Sequence, residues 1–300
     1  MAQDPPTCRV HVLVDQLSVF SRRRLVVATI ILAGIWSAYA LELDFASLIP
    51  ASGGLQLAGE FLSAALAPAV EYESEVPAGT MPLLLRVLYA AKETVLLAAA
   101  SIGLAAVAGF LLGVVASNSF WFSPGGDLRA SPARSVSAMV KSAFLIATRV
   151  LITLMRSVHE LLWAVMFLAA FGVSRLSAVI ALAIPFTGVL AKIFSELVDE
   201  APRQGAIAVH TAGGTALHAY CLALVPCALP DILAYTLYRF ECALRSAAVM
   251  GFFGFPTFGF YIAASFENLH YAEVWTYLYG LVLLVAMIDW WSGGLRRRLV

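Results

Sequence analysis

Apolar residues gather along this chain into long runs, separated by short polar stretches and by connections rich in glycine and proline. A membrane-spanning helix needs about 20 mostly apolar residues, and six runs approach or exceed that length: 25–41, 88–116, 142–171, 176–197, 217–249 and 274–291. Residues 42–85 are broken by Pro50, Gly53, Gly54, Pro68, Pro77 and Pro82, and hold one shorter apolar stretch, 55–70, which reads as an interfacial helix rather than a span. The fold class expected is all-α, a polytopic membrane protein with about six transmembrane helices.

Lysine and arginine accumulate on the cytoplasmic side of spans during insertion. Arg9 and Arg22 to Arg24 precede the first run, Arg129, Arg134 and Lys141 follow the second, and Arg296 to Arg298 close the chain, so all three segments are expected in the cytoplasm. The long first connection carries Glu42, Asp44, Glu60, Glu71, Glu73 and Glu75, with no basic residue before Arg86, and is expected outside. Six spans with both termini inside satisfy every loop. The division expected is residues 1–24 as a cytoplasmic segment, 25–82 as the first span and outer loop, 83–295 as the main membrane domain and 296–300 as a basic tail. Three arginines ahead of an apolar stretch ending Ala38-Tyr39-Ala40 also fit a cleaved signal peptide. The apolar run is longer than a usual signal core, which favours an uncleaved anchor; a mature chain beginning at Leu41 would decide for cleavage.

Composition agrees with the pattern. The chain is 61% apolar and only 13% charged, with mean hydropathy +0.86, against about 45–50% and 25% for soluble domains. Its 19 basic residues balance 19 acidic ones, which leaves no basic excess for a nucleic-acid partner. Cys8, Cys221, Cys227 and Cys242 form no C-x-x-C pair and read as small hydrophobes, so no metal or other cofactor is expected. His159-Glu160 is not a zinc-protease motif, because Trp163 stands where H-E-x-x-H needs its second histidine. There is no G-x-S-x-G elbow and no Gly-Lys pair for a phosphate-binding loop. Any ATP-driven process requires a motor on another chain.

Charged groups at membrane depth cost about 2.5–3.5 kcal/mol each on insertion scales, and so face a partner, a cavity or a pathway. In the third run Arg149, Thr153, Arg156 and Glu160 recur at steps of four, three and four, which places them on one stripe of a continuous helix. The fifth run carries Tyr235, Tyr238, Arg239, Glu241 and Arg245; Glu241 and Arg245 have the favourable spacing and order for an ion pair, while Arg239 lies about 120° around the helix from Arg245. Arg156 with Glu160, and Glu241 with Arg245, read equally well as structural pairs. Either way arginine is in excess, and its planar fork suits phosphate-like oxygens. Asp289, beside Trp290 and Trp291, reads as interfacial.

Between the fourth and fifth runs, Asp199-Glu200-Ala201-Pro202-Arg203-Gln204-Gly205 leads through Ala208, His210 and Gly213-Gly214 to Val225-Pro226. Pro202 suits a helix start, and Gly213-Gly214 permits a tight reversal between two short helices. This segment resembles the coupling segment of ATP-binding cassette (ABC) importer permeases, with Ala208, Gly213 and Val225-Pro226 in register and Ile207 where that family has glutamate. Tyr235 to Glu241, Arg245-Ser246-Ala247 through Gly251 and Gly254, and Arg156 to Ala164 are similar to permeases of phosphonate importers, with His159 in the place of their proline.

The resemblance implies a type I ABC permease core and a non-catalytic subunit in the bacterial inner membrane. It further implies as partners a second copy of the chain, a cytoplasmic ABC ATPase dimer and an extracytoplasmic solute-binding protein. By the same resemblance, the segment 199–215 couples to the ATPase through Glu200, Arg203, Ala208, His210, Gly213, Gly214 and Pro226, with Glu200 or Arg203 standing in for the missing glutamate. Arg156, Glu160, Tyr238, Arg239, Glu241 and Arg245 are expected to line the pathway for a phosphorus oxyanion, and Gly251, Gly254 and Gly259 to belong to an outer gate or loop. The readings set against this one are a secondary anion transporter or channel, a permease for another small solute, and a purely structural subunit.

Overall fold

The computed structural model describes residues 7–42, 53–77, 79–121 and 132–299. Asp44, Pro50 and Arg129, invoked above for the outer loop and for orientation, lie outside them. The chain divides into two compact units, residues 1–60 and 61–300. Among the described residues five helices are long and apolar enough to cross a membrane, and a helix pair bent by 88° gives a sixth if the pair is counted as one span.

In the first unit, α1 (Thr7–Ala40) starts well before the predicted 25 and continues unbroken through Ala38-Tyr39-Ala40. Its large apolar side chains from Leu25 to Tyr39 are exposed, as on a helix that meets lipid. Gly53, at φ 95°, precedes α2 (Gly54–Ala64), which is too short to span.

The second unit is organised by α3 (Leu83–Ala116) and α7 (Arg175–Glu200), which run parallel and touch along their length. A Cβ placed on Gly109 would stand 2.9 Å from the Leu190 Cβ, and one on Gly113 3.0 Å from the Ala191 carbonyl oxygen. Arg175 reaches Glu93 at 3.2 Å at one end, and Asp199 accepts from Ser117 Oγ at 2.6 Å at the other. Between these ends the interface is built from Ala98, Ser101, Ala105, Ala181, Ala191 and the glycines. In lipid, where no hydrophobic force joins helices, such small residues let backbones approach and gain dispersion contact.

Two parallel neighbours need a return crossing between them. It is made by α5 (Pro132–Ser157) and α6 (Glu160–Phe171), and it corrects the continuous third span: the two helices meet at 88°. His159 causes the break without being proline. Its backbone is extended (φ −63°, ψ 145°), and its Nδ1 accepts from the Leu161 N–H at 3.3 Å to cap α6. Arg149, Thr153 and Arg156 therefore share α5, whereas Glu160 opens a differently directed helix, so the four-residue stripe does not exist. The end of α5 is seated on Gly188 of α7, whose missing Cβ leaves room for the Ile152 carbonyl and the Met155 side chain, each 2.9 Å from where it would lie.

After α7 come α8 (Gln204–Thr211) and α9 (Ala216–Ala219), a π turn over 220–224, and α10 (Val225–Val249). A 3₁₀ turn over 250–253 and the left-handed Gly254 (φ 94°) lead to α11 (Phe258–Glu267) and then α12 (Tyr271–Leu299). Arg296, Arg297 and Arg298 fall in the last turn of α12. Residues 61–77, part of the acidic loop, are strapped to α12: Trp275 Nε1 donates to the Phe61 carbonyl (2.7 Å), Tyr279 Oη to Ala65 (2.8 Å) and Thr276 Oγ1 to Ala69 (2.7 Å). Glu73 and Glu273 exchange backbone N–H to carboxylate bonds at 2.9 and 3.0 Å.

Candidate functional site

Arg239, Glu241 and Arg245 of α10 sit in three different environments, while Asp231 is exposed nearer its start. Arg239 is fixed on its own helix: its Nε donates to Tyr235 Oη at 2.9 Å, and its guanidinium lies 5.4 Å from the Tyr235 ring centre and 6.0 Å from that of Tyr238. Aromatic faces hold a cation in place without cancelling its charge. Glu241 is 5% exposed and accepts from Arg296 Nη2 of α12 at 2.9 Å, so the pair expected with Arg245 is not made. The i,i+4 spacing permits that pair, but Arg296 approaches the buried side of α10, whereas Arg245 is exposed. Arg245 and Tyr238, seven residues apart and so on one face, are both uncovered in the single chain.

Glu160 is also diverted. Ser246 Oγ, next to Arg245 in sequence, donates to Glu160 Oε1 at 2.8 Å, and His159 Nε2 stands 3.7 Å from Oε2. The Arg156–Glu160 ion pair is absent among the described residues, because the bend places the two on different helices; Arg156 is exposed on α5. The bond to Ser246 brings the start of α6 onto α10 beside Arg245. Arg149 lies apart, with Nε and Nη2 donating to the Ala116 carbonyl at the end of α3 (3.2 and 3.0 Å). It lines a cavity of about 460 Å³ together with Lys192, Glu196 and Asp199. Both acids of the predicted pathway are thus engaged by structural partners, whereas Arg156, Arg239 and Arg245 make no ion pair within 4 Å among the described residues.

The hairpin after α7 is built on its two glycines. Gly213 N–H donates to the His210 carbonyl (3.0 Å) and Gly214 N–H to Val209 (2.9 Å), the paired bonds that close a helix on a left-handed residue. Gly213 supplies that conformation at φ 92°, and a Cβ on Gly214 would lie 2.8 Å from the Val209 carbonyl oxygen. Thr215 then caps α9 in a reciprocal box with His218. Ala206 and Tyr220 anchor the hairpin in the core, while Glu200, Arg203, Ile207, Ala208 and His210 face outward. Pro226 follows the π turn at the base of α10. Asp199, read only as part of the motif, caps α4 (Asn118–Trp121), accepting from the N–H groups of Asn118 and Ser119 at 2.9 Å each.

The segment from Gly251 to Gly259 is buried at Gly251, Phe255 and Thr257 to Gly259, with Phe252 and Gly254 exposed. Phe258 N–H points to Thr94 Oγ1 at 3.4 Å, eleven residues or about 16 Å into α3 at 1.5 Å per residue. Thr257 Oγ1 donates to the Ala248 carbonyl at 3.0 Å. A Cβ on Gly251 would fall 2.1 Å from the Phe260 nitrogen, and one on Gly259 2.4 Å from the Ala248 oxygen. The turn is thus a plug of backbone packed on backbone.

Sequence reasoning missed Arg296 as the partner of Glu241, Arg175 as that of Glu93, and the Gly109-x-x-x-Gly113 spacing of α3. The last was a readable signal; Arg296 was hidden because three terminal arginines read as a marker of sidedness.

This arrangement is the fold of ABC transporter membrane subunits. It matches a chain of an amino acid ABC transporter solved with histidines (TM-score 0.57, 15% identity, 73% of this chain and 99% of that one). It also matches a chain of the inward-facing MetNI methionine ABC transporter (TM-score 0.60, 17% identity, 74% and 99%). Sequence relatives narrow the class. The chain is 36% identical over 152 residues to the phosphite transport system permease protein PtxC of Stutzerimonas stutzeri, covering 50% of this chain and 54% of that one. It is 30% identical over 152 residues to the phosphate-import permease protein PhnE of Mycolicibacterium smegmatis, covering 51% and 29%. It is 27% identical over 121 residues to the putative cryptic phosphonate transport system permease protein PhnE2 of Escherichia coli, covering 40% and 99%. The chain spans about half the length of the phosphite permease relatives it matches. No protein-family profile matches it.

Proposed function

We propose that the chain is the permease subunit of a bacterial inner-membrane ABC importer and forms the pathway for phosphonate or a related phosphorus oxyanion. The observation that carries this reading is the separation of charges on α10: Glu241 is held by Arg296, whereas Arg239 is propped on two tyrosines and Arg245 is uncovered, leaving positive charge on an outward face. The named relatives support the solute class. An arginine exposed at membrane depth is costly unless something covers it, and a second copy of the chain, apposed along the Tyr238 and Arg245 face, covers it and doubles the cationic lining. The termini lie in the cytoplasm, and an extracytoplasmic binding protein delivers the solute. An ATPase dimer grips the α8–α9 hairpin through its outward residues, and the Gly251–Gly259 plug acts as the outer gate.

Replacement of Arg239 by alanine should cut uptake while an ATPase still co-purifies; wild-type uptake would exclude a direct role for Arg239. Uptake by the purified chain in liposomes without any ATPase would favour the secondary transporter instead. Changes in assembly but never in flux, on neutralising the arginines, would favour a structural subunit.

A further inference from the structure

A second cationic centre lies at the outer end of the same unit. Arg86, in the first turn of α3, sits 5.0 Å from the ring centre of Tyr72 and 5.8 Å from that of Tyr261, and makes no ion pair within 4 Å among the described residues. It borders a pocket of about 340 Å³ between α3, α11, α12 and the strap, whose other charged or titratable groups besides tyrosines are Glu273 and His270. Glu273 is 5% exposed, and its carboxylate accepts from Glu73 N–H and Ser265 Oγ, with His270 Nδ1 at 3.8 Å. The rings of Tyr261 and Tyr277 stack at 5.4 Å on its wall.

We propose that this pocket binds a small zwitterion, its oxyanion on Arg86 and its ammonium towards Glu273 and the tyrosine faces. A bare anion would meet the Glu273 carboxylate and a bare cation would meet Arg86; a molecule carrying both charges matches both, and tyrosine faces favour an ammonium. The volume suits a molecule of a few carbons. Two sources supply this chemistry: a free aminoalkylphosphonate, and the head group of a zwitterionic phospholipid in the outer leaflet. The choice of phosphorus for the oxyanion rests on the function proposed above; the demand for a zwitterion does not.

The test uses the full chain in nanodiscs, without ATPase or uptake, so that failure of the importer reading leaves it unaffected. 2-Aminoethylphosphonate and methylphosphonate are titrated in phosphatidylglycerol discs, and retention of phosphatidylethanolamine is measured separately. The zwitterion should bind about tenfold more tightly than methylphosphonate, and Arg86→Gln should weaken it about tenfold, as loss of a charge-assisted hydrogen bond implies. Arg297→Gln, at the far end of α12, should leave it unchanged. Retention of phosphatidylethanolamine alone, lost in Arg86→Gln, supports the site with lipid as its source. Equal binding of methylphosphonate, binding indifferent to Arg86→Gln, or failure of both 2-aminoethylphosphonate and phosphatidylethanolamine to bind overturns the proposal. If Arg86→Gln does not fold, hydrogen exchange on the wild-type chain replaces it: the zwitterion or the lipid should protect 72–76 and 264–273, and absence of protection by both overturns the site.

Discussion

The α3–α7 pair and α10 face the same membrane problem with opposite means. Along α3 and α7 the backbones approach at Gly109 and Gly113, against Leu190, Ala191 and Phe194, with the polar partners Glu93–Arg175 and Ser117–Asp199 placed towards the two ends. On α10 an acid and two arginines fall within seven residues, one buried and paired, one propped, one uncovered. On α10, the charge that the fold itself satisfies belongs to the scaffold, and the charges that it positions but leaves without an ion pair are available to a ligand or a partner.

The comparison can be broken at several points. The largest stability effect is expected at Glu241, whose buried, charge-assisted bond to Arg296 is lost while Arg296, 29% exposed, keeps only Asp289 at 3.7 Å, at about 2–3 kcal/mol. Glu241→Ala should therefore destabilise strongly in detergent–SDS unfolding titrations, and Glu241→Met combined with Arg296→Met should recover most of the loss. On the scaffold side, Gly188→Val drives a side chain into the backbone of α5. Overpacking of this kind costs about 1–3 kcal/mol, and the same titration should show it, with uptake falling only as far as folded protein does.

Gly213→Val forces a left-handed β-branched residue, at a cost of about 1–2 kcal/mol, confined to an exposed hairpin. Its expected signature is ATP hydrolysis that continues while uptake drops; normal coupling would remove the hairpin from the transmission route. The smallest effect is expected at His159. Its φ of −63° already suits proline, so His159→Pro should leave stability within about 1 kcal/mol, whereas His159→Ala should lose about 1 kcal/mol of capping.

Much of this was legible beforehand, for reasons that differ by residue. The spans could be read because lipid demands long apolar helices, and the hairpin because Gly213 and Gly214 are each needed for a distinct stereochemical reason. The bend at His159 was not legible, since nothing in local composition marks a histidine cap in an otherwise continuous apolar run. The partners of Glu160 and Glu241 were misassigned because helical spacing lists neighbours within one helix, while Ser246 and Arg296 arrive from elsewhere in the chain. Spacing identified which residues carry charge; only the packing of α6 and α12 on α10 separated structural charges from available ones.

The most direct test of that separation compares Arg245→Gln with Glu241→Gln, each reconstituted with the proposed ATPase partner, by uptake of labelled phosphite or phosphonate, the proposed solutes, per folded molecule. The account predicts that Arg245→Gln keeps wild-type stability and loses at least about tenfold in uptake, the scale of one lost charge-assisted contact, while Glu241→Gln loses stability but transports normally per folded molecule. Full uptake by Arg245→Gln, or an uptake defect that follows Glu241 instead, would contradict it.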